Sequence, residues 1–380
     1  MSQLLPFSVT HKSHGRTGIP LAGILMSSLR ILGPILQDEN APAYSSSPFL
    51  VEDTYGTDDG QFQKGILKLQ EREVLSIKNG ISPGYSTYKE VASYAMDHDG
   101  FARVPTTVFV FSDSTTSSSS FEPNNDHDHH QVAVLGSVQQ YVESKGCSED
   151  YGASLFSVDD VHSIAVLDMR LLNADRHLGN MLLTPDHRLV PIDHGLVLPS
   201  YRDLSDVRFE WAPWAQCDQP LSAATRLYVA QLNPLRDATL LYSLGIAEES
   251  IISMIFATFL LMRASAKGFT VRLVASFMQR DPYQAEQPSL IERIIQRVIA
   301  CNRYLYECAD ENTLTFYQPF LPNKISLLED TLRVIDNELT AYAVATDAAN
   351  SEPDALDRLA DYACTPSDFV RHIINTREIV

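Results

Sequence analysis

Two acid-bearing motifs joined by a short hairpin constrain this chain more than any other feature. Asp175-Arg176-His177-Leu178-Gly179-Asn180 stands on one side and Ile192-Asp193-His194-Gly195 on the other. Between them, residues 181–184 and 189–192 read as two short strands, and Pro185-Asp186-His187-Arg188 carries the composition of a turn. A hairpin returns its second strand alongside its first. Asp175 and Asn180 at one end are therefore expected to meet Asp193 at the other. Two carboxylates and an amide converging on one point suit Mg²⁺ beside a phosphate, because that cation takes hard oxygen ligands and keeps several waters. The plainer alternative is a helix–strand junction with surface charges.

The spacing can be set against phosphoryl-transfer chemistry. In protein kinases a catalytic-loop Asp precedes a metal-binding Asn by about five residues, and an Asp-Phe-Gly motif follows. Here Asp175 and Asn180 keep that interval, and Asp193-His194-Gly195 stands in the place of Asp-Phe-Gly. Arg176 and His177 follow the Asp instead of preceding it. This D-R-H-x-x-N order resembles the phosphatidylinositol 3-/4-kinase superfamily.

Length and composition set the frame. A chain of 380 residues suits two or three units or a two-lobed enzyme, and 44% hydrophobic residues can supply a core. The formal net charge of −19 argues against non-specific nucleic-acid binding and against docking to an anionic membrane by charge alone. Five cysteines, none in C-x-x-C, fit a reduced, intracellular and cytoplasmic chain, with Cys301 and Cys308 read as core thiols. The apolar run at 18–36 is broken by Arg30, Gly33 and Pro34, so no transmembrane segment is expected, and no signal peptide is evident.

Along the chain, residues 1–40 read as a leader with a short helix at 23–32. Residues 41–141 read as an N-terminal lobe. It opens with a strand at 48–53, a Gly-containing turn at 56–60 and a second strand at 61–69. Lys68 on that second strand is the candidate nucleotide lysine, with Lys64 as the other choice. A helix opened by Ser82 or Ser86 carries an apolar stripe of Val91, Ala92, Ala95 and Met96, and Glu90 beside it is a candidate partner for the lysine. A strand follows at 101–111. The Ser/Thr-, Asn- and His/Asp-rich stretch 112–131 reads as a disordered loop. A strand at 132–136 continues into residues 137–142, where an inter-lobe hinge belongs. A helix at 159–171 then delivers Asp175. Residues 142–320 form a C-terminal lobe with helices at 222–231, 235–244, 248–267 and 289–307. A helical extension occupies 321–380, with a helix at 325–342.

Residues 84–105, 136–183, 189–199 and 209–216 together resemble the type II-like phosphatidylinositol 4-kinases of the plant gamma group and their protist relatives. The resemblance runs over about residues 29–280 and is most specific from Tyr85 to Trp214. It implies an α+β, protein-kinase-like bilobal fold with a small antiparallel-sheet N-lobe and a larger, mainly helical C-lobe. It also implies phosphoryl transfer dependent on ATP and Mg²⁺. Under it, Asp175 orients or deprotonates the attacking hydroxyl. Arg176 and His177 support the loop and the γ-phosphate, while Asn180 and Asp193 bind Mg²⁺. Glu90 is the helix glutamate, Gln139, Gln140 and Tyr141 form the adenine hinge, and Lys68 is the nucleotide lysine. The sequence departs from the family around Lys68, where a VKP-type strand is usual, and the interval from Lys68 to Gly84 is shorter. The family's ubiquitin-like domains and Cys-rich palmitoylation motif have no counterpart here.

The acceptor is left more open. Residues 200–208, in the activation-segment position, offer only Arg202 and Arg208 against Asp203 and Asp206. This suits an unphosphorylated inositol ring, and the resemblance implies that the acceptor is phosphatidylinositol, phosphorylated at its 4-hydroxyl with peripheral membrane contact. It equally suits a protein Ser/Thr acceptor. The departures in the N-lobe leave a nucleotide-binding scaffold as a third reading. Phe209 to Trp214, with both tryptophans, is expected to anchor the segment in the C-lobe core.

Overall fold

The computed structural model describes residues 11–14, 20–35, 48–53, 63–72, 78–115, 132–301 and 322–350. Seven strands form the sheet of the first lobe: β1 (His11–His14), β2 (Pro20–Leu25), β3 (Leu29–Pro34), β4 (Phe49–Asp53), β5 (Lys64–Leu69), β6 (Thr107–Thr115) and β7 (Val132–Gln140). Their order is β1-β2-β6-β7-β5-β4-β3. Strand alternation explains how both faces are covered. Val108 and Val110 pack with Ile24, Leu29, Val51, Leu67 and Val138 on one face. Phe109 and Phe111 point the other way, into the main core with Val91, Ala92 and Met96 of helix α1 (Ser86–Met96).

Three expectations about this lobe are corrected. Residues 23–32 are not a helix. They form the end of β2, a 3₁₀ turn at Met26–Ser28 and most of β3. A helix there would have carried Gly23 internally and run into Gly33 and Pro34, whereas the sheet gives the same residues pairing partners in β6 and β4. Nor is the sheet purely antiparallel, because β2 runs parallel to β6. A strand joined to its neighbour through several intervening elements is not held to the antiparallel sense that a tight hairpin imposes. The strand expected at 101–111 begins only at Thr107. Before it, the buried Asp97 carboxylate accepts the N–H groups of Ala102 and Val104 at 2.7 and 2.8 Å and shapes a turn. The strand then runs on to Thr115; the rest of the low-complexity stretch, the turn at 56–60 and residues 351–380 lie outside the described residues.

The second lobe is helical: α2 (Val158–Leu171), α3 (Ala223–Gln231), α4 (Pro234–Ser243), α5 (Glu248–Ala266), α6 (Val271–Met278), α7 (Leu290–Cys301) and α8 (Pro322–Asn350). Helix α5 is apolar on all sides and packs against α2, α3, α4 and α8. It is long and apolar enough to cross a membrane, and 89% of that window is buried within the fold. A small sheet of β8 (Gly146–Cys147), β9 (Met181–Leu183) and β10 (Leu189–Pro191) sits beside α2. Strands β9 and β10 form the hairpin, with Leu183 opposite Leu189 and Met181 opposite Pro191. The fully buried Asp160 of α2 ties the parts together, binding Arg188 of the hairpin turn at 2.9 Å and Arg103 of the first lobe at 2.7 Å. The result is a two-lobed α+β, kinase-like fold.

Candidate active site

The loop that carries Asp175 begins where α2 stops. Leu172 takes the left-handed conformation (φ 47°) and ends the helix, and Asn173 folds back to donate its N–H to the Asp168 carbonyl at 3.0 Å. The Asn173 side-chain oxygen then accepts the N–H of Asp175 at 2.8 Å. Asn180 closes the loop by donating its side-chain amide to the Asp175 carbonyl at 3.1 Å. Across the hairpin the Ile192 N–H reaches the Asn180 carbonyl at 3.0 Å. The expected meeting of the two motifs is therefore made by the backbone.

Lys68 faces this loop from the sheet. Its strand neighbours Leu67, Val138 and Val108 point into the far face, so alternation turns Lys68 toward α1 and the cleft. Its ammonium donates to Glu90 Oε1 at 2.5 Å and to Asp193 Oδ1 at 3.0 Å. Asp193 has a positive φ of 55° that turns its carboxylate into the cleft. Gly195, two residues on, lets α1 come close, since a Cβ there would lie 2.4 Å from Ser86 Oγ. The Lys68 charge holds the Asp193 carboxyl well below the usual carboxylate range. Burial works against the Lys68 charge, but Asp193 and Glu90 outweigh it and keep the ammonium above the ordinary lysine value. Burial pushes the Glu90 carboxyl up, and Lys68 pulls it back. Burial, with the charge of Arg176 added, pushes the His194 imidazole well below its ordinary value. His194 is thus a neutral ring beneath the motif, its Nδ1 4.0 Å from Glu90 Oε2.

Arg176 and His177, expected to support the loop and the γ-phosphate, both brace the loop. Arg176 is enclosed. Its Nε donates to both Asp168 oxygens at 3.1 and 3.0 Å, and its Nη1 donates to the carbonyls of Asn180 and Ile192 at 2.6 and 2.8 Å. It buckles the two acid motifs together instead of facing a substrate. His177 is exposed, and its Nδ1 accepts the Gly179 N–H at 3.1 Å as the cap of the turn at Leu178–Asn180. Gln139 is buried, donating to Thr107 Oγ1 at 3.1 Å. The Gln140 and Tyr141 N–H groups are used by Thr106 and Lys64 carbonyls at 2.8 and 3.0 Å, so these three residues end the sheet and lead into the inter-lobe crossing. Lys64 shares the parity of Lys68 but lies four residues away, about 13 Å along an extended strand, at the hinge end of β5.

Sequence reasoning did not single out Asp168 or Trp211 for this site. Asp168 receives Arg176, the Asn173 amide at 3.0 Å and the Trp211 indole N–H at 2.9 Å, and it is fully buried. Its place in the last turn of the helix that delivers Asp175 was the available signal. Trp211 stacks on Phe209, with ring centroids 5.0 Å apart, within the C-lobe core.

The donor set suits a hard divalent cation. Asn180 uses its NH₂ on the Asp175 carbonyl, which leaves its side-chain oxygen as a ligand atom. The Asp193 carboxylate is 43% exposed toward the cleft. One carboxylate and one amide oxygen match Mg²⁺, which takes its remaining ligands from water and substrate phosphates.

Residues 70–252 match the family described as phosphatidylinositol 3- and 4-kinase. Phosphatidylinositol 4-kinase gamma 3 of Arabidopsis thaliana is 38% identical over 242 residues, covering 58% of this chain and 40% of that protein. Phosphatidylinositol 4-kinase gamma 8 of Arabidopsis thaliana is 34% identical over 243 residues, covering 60% and 43%. Phosphatidylinositol 4-kinase gamma 4 of Oryza sativa subsp. japonica is 32% identical over 236 residues, covering 58% and 39%. The chain spans about two fifths of the length of these curated relatives.

Proposed function

Because residues 70–252 match the phosphatidylinositol 3- and 4-kinase family, we propose that the chain transfers the γ-phosphoryl group of ATP, with Mg²⁺, to the 4-hydroxyl of phosphatidylinositol. The observation that carries this reading is the paired reach of Lys68, to Glu90 at 2.5 Å and to Asp193 at 3.0 Å, opposite the loop that holds Asp175. A scaffold that binds ATP without turnover would keep the same lysine, so labelled product, and not nucleotide binding, separates it from the enzyme.

In this reading Lys68 binds the inner phosphates of ATP, and Glu90 keeps its ammonium aimed. Asn180 and Asp193 would hold Mg²⁺, which supplies charge neutralisation at the phosphates. Asp175 accepts a hydrogen bond from the attacking hydroxyl and takes its proton. Arg176 fixes the distance between the two acid motifs, and the adenine edge lies against the hinge backbone beyond Tyr141. Positioning and preorganised charge are what this chemistry mainly asks of a protein. With a net charge of −19, contact with the lipid would be peripheral and made through apolar and polar groups rather than a basic surface. The setting is intracellular.

Vesicles of phosphatidylinositol incubated with the protein, Mg²⁺ and γ-labelled ATP test the proposal. Labelled phosphatidylinositol 4-phosphate is the expected product. Labelled protein with unlabelled lipid would instead favour a protein acceptor on the same fold.

A further inference from the structure

A second lysine stands beside the catalytic carboxylate, on a segment that the motif reading passed over. Lys78 Nζ lies 3.5 Å from Asp175 Oδ1, and the two side chains are 35% and 34% exposed. Both are therefore reachable from solvent. Lys78 belongs to the connection between β5 and α1, yet it is anchored on the other lobe. The Asn79 N–H donates to Asp206 Oδ2 at 2.5 Å, and the Asn79 side-chain amide donates to Ser205 Oγ at 3.1 Å. The Ser200 N–H donates to the Gly80 carbonyl at 2.7 Å. Gly80 sits at φ +71°, and a Cβ there would lie 2.0 Å from the Asp203 carbonyl oxygen, so this seat requires glycine. A loose surface lysine would count for little. This one is held against the segment that follows Asp193-His194-Gly195.

Of the two arginines read near the acceptor, Arg202 is committed elsewhere. Arg202 donates to Glu249 at 2.5 Å, and Ser200 Oγ holds the second oxygen of the same carboxylate at 2.7 Å. Lys68 serves the Asp193 end of the cleft and Lys78 the Asp175 end. A phosphoryl group passing from a nucleotide held at Asp193 to a hydroxyl held at Asp175 must cross the space between them.

We propose that Lys78 is a second catalytic lysine, whose ammonium donates to the non-bridging oxygens of the γ-phosphoryl group of ATP during transfer. The inference deepens the phosphotransfer reading and rests on it. In the step, the bond from the γ-phosphorus to the oxygen shared with the β-phosphate breaks, and its electron pair leaves with ADP. A bond forms from the acceptor hydroxyl oxygen to the γ-phosphorus, and the hydroxyl proton passes to Asp175. Lys78 keeps its protons throughout. Its charge offsets the anionic oxygens, where preorganised donors have their largest effect.

The test uses the full chain and compares its affinities for Mg²⁺·ATP and Mg²⁺·ADP by calorimetry, in the wild type and in Lys78→Met, Lys78→Gln and Lys78→Arg. A lysine on the γ-phosphoryl predicts that the Met and Gln variants lose about tenfold of the preference for ATP over ADP, as for one charge-assisted hydrogen bond. ADP affinity stays within about twofold, and Arg restores much of the preference. Turnover on phosphatidylinositol vesicles falls by about 10²–10³ in the Met and Gln variants. If the ATP-to-ADP ratio is unmoved in the folded variants, Lys78 merely braces Asp175 and the inference is overturned. A wild type that prefers ATP, loses that preference without Lys78 and labels no lipid would uphold Lys78 while sinking the lipid acceptor. A wild type that binds no Mg²⁺·ATP overturns both.

Discussion

Arg176 and Asp168 meet in full enclosure, guanidinium Nε to both carboxylate oxygens, and this pair ties together the two motifs that carry Asp175 and Asp193. The same guanidinium ties the Asn180 and Ile192 carbonyls, and the same carboxylate holds Trp211 and Asn173. Removing one partner of such a pair strands the other charge in the interior. Asp168→Ala is expected to cost about 3–5 kcal/mol, measured by urea unfolding. Arg176→Lys should also lose turnover, because an ammonium cannot reproduce the planar fork. A wild-type unfolding midpoint for Asp168→Ala would show that the pair does not support the fold.

Asp175 carries the proton in the proposed reaction, and its carboxylate is not part of the buried network. Asp175→Asn should therefore leave the thermal midpoint and Mg²⁺·ATP affinity near wild type while lowering turnover by about 10²–10⁴. Lipid kinase assays beside calorimetry check this. Turnover within a few-fold of wild type would remove Asp175 from proton transfer.

His194 predicts a pH dependence of stability. Its folded-state value is depressed by burial, with Arg176 adding to the effect. The unfolded chain therefore binds a proton below the ordinary histidine value of about 6.5, while the folded protein resists it. The stability that the neutral ring contributes is present above that pH and is lost progressively as pH falls below it. His194→Phe, of similar shape and without a titrating group, should flatten the decline between about pH 6.5 and 5. Parallel slopes for the two proteins in urea titrations across that window would contradict the assignment.

Cys217 is buried, and burial pushes its thiol up to about 12. It is a core thiol with a hydrogen bond to the Trp211 carbonyl at 3.3 Å. Native protein treated with iodoacetamide at pH 8 should be modified at Cys147, which is partly exposed, long before Cys217. Peptide mass mapping gives the order of labelling. Early loss of the Cys217 peptide would mean that the segment around Trp211 opens readily.

The acid constellation was legible because it is local. Asn180 follows Asp175 at an interval of five, and the turn chemistry between β9 and β10 brings Asp193 back to them, so one short stretch contains its own geometry. Helix α1 was legible for the same reason, through its apolar stripe. Residues 23–32 were not. A short apolar run fits a helix or a strand, and the partner that decides, β6, lies far along the chain. The resemblance implies that Arg176 supports the loop and the γ-phosphate, but a motif does not say which way a side chain turns; the depth of Asp168 decides that. Lys78 went unread for a similar reason, since bonds from Asn79 and Gly80 to residues 200–206, distant in sequence, carry it to Asp175.

The strand order of the first lobe bears on how the chain can be divided. The family match begins at residue 70, whereas β1 to β5, five of the seven strands, lie upstream of it, and so does Lys68. The match ends at residue 252, inside α5, the helix around which the second lobe is packed. Cutting at either border would expose unpaired sheet edges or half a core helix, and would discard the lysine on which ATP recognition is proposed to depend. The unit of homology and the unit of folding therefore differ here, and an expression fragment has to follow the latter.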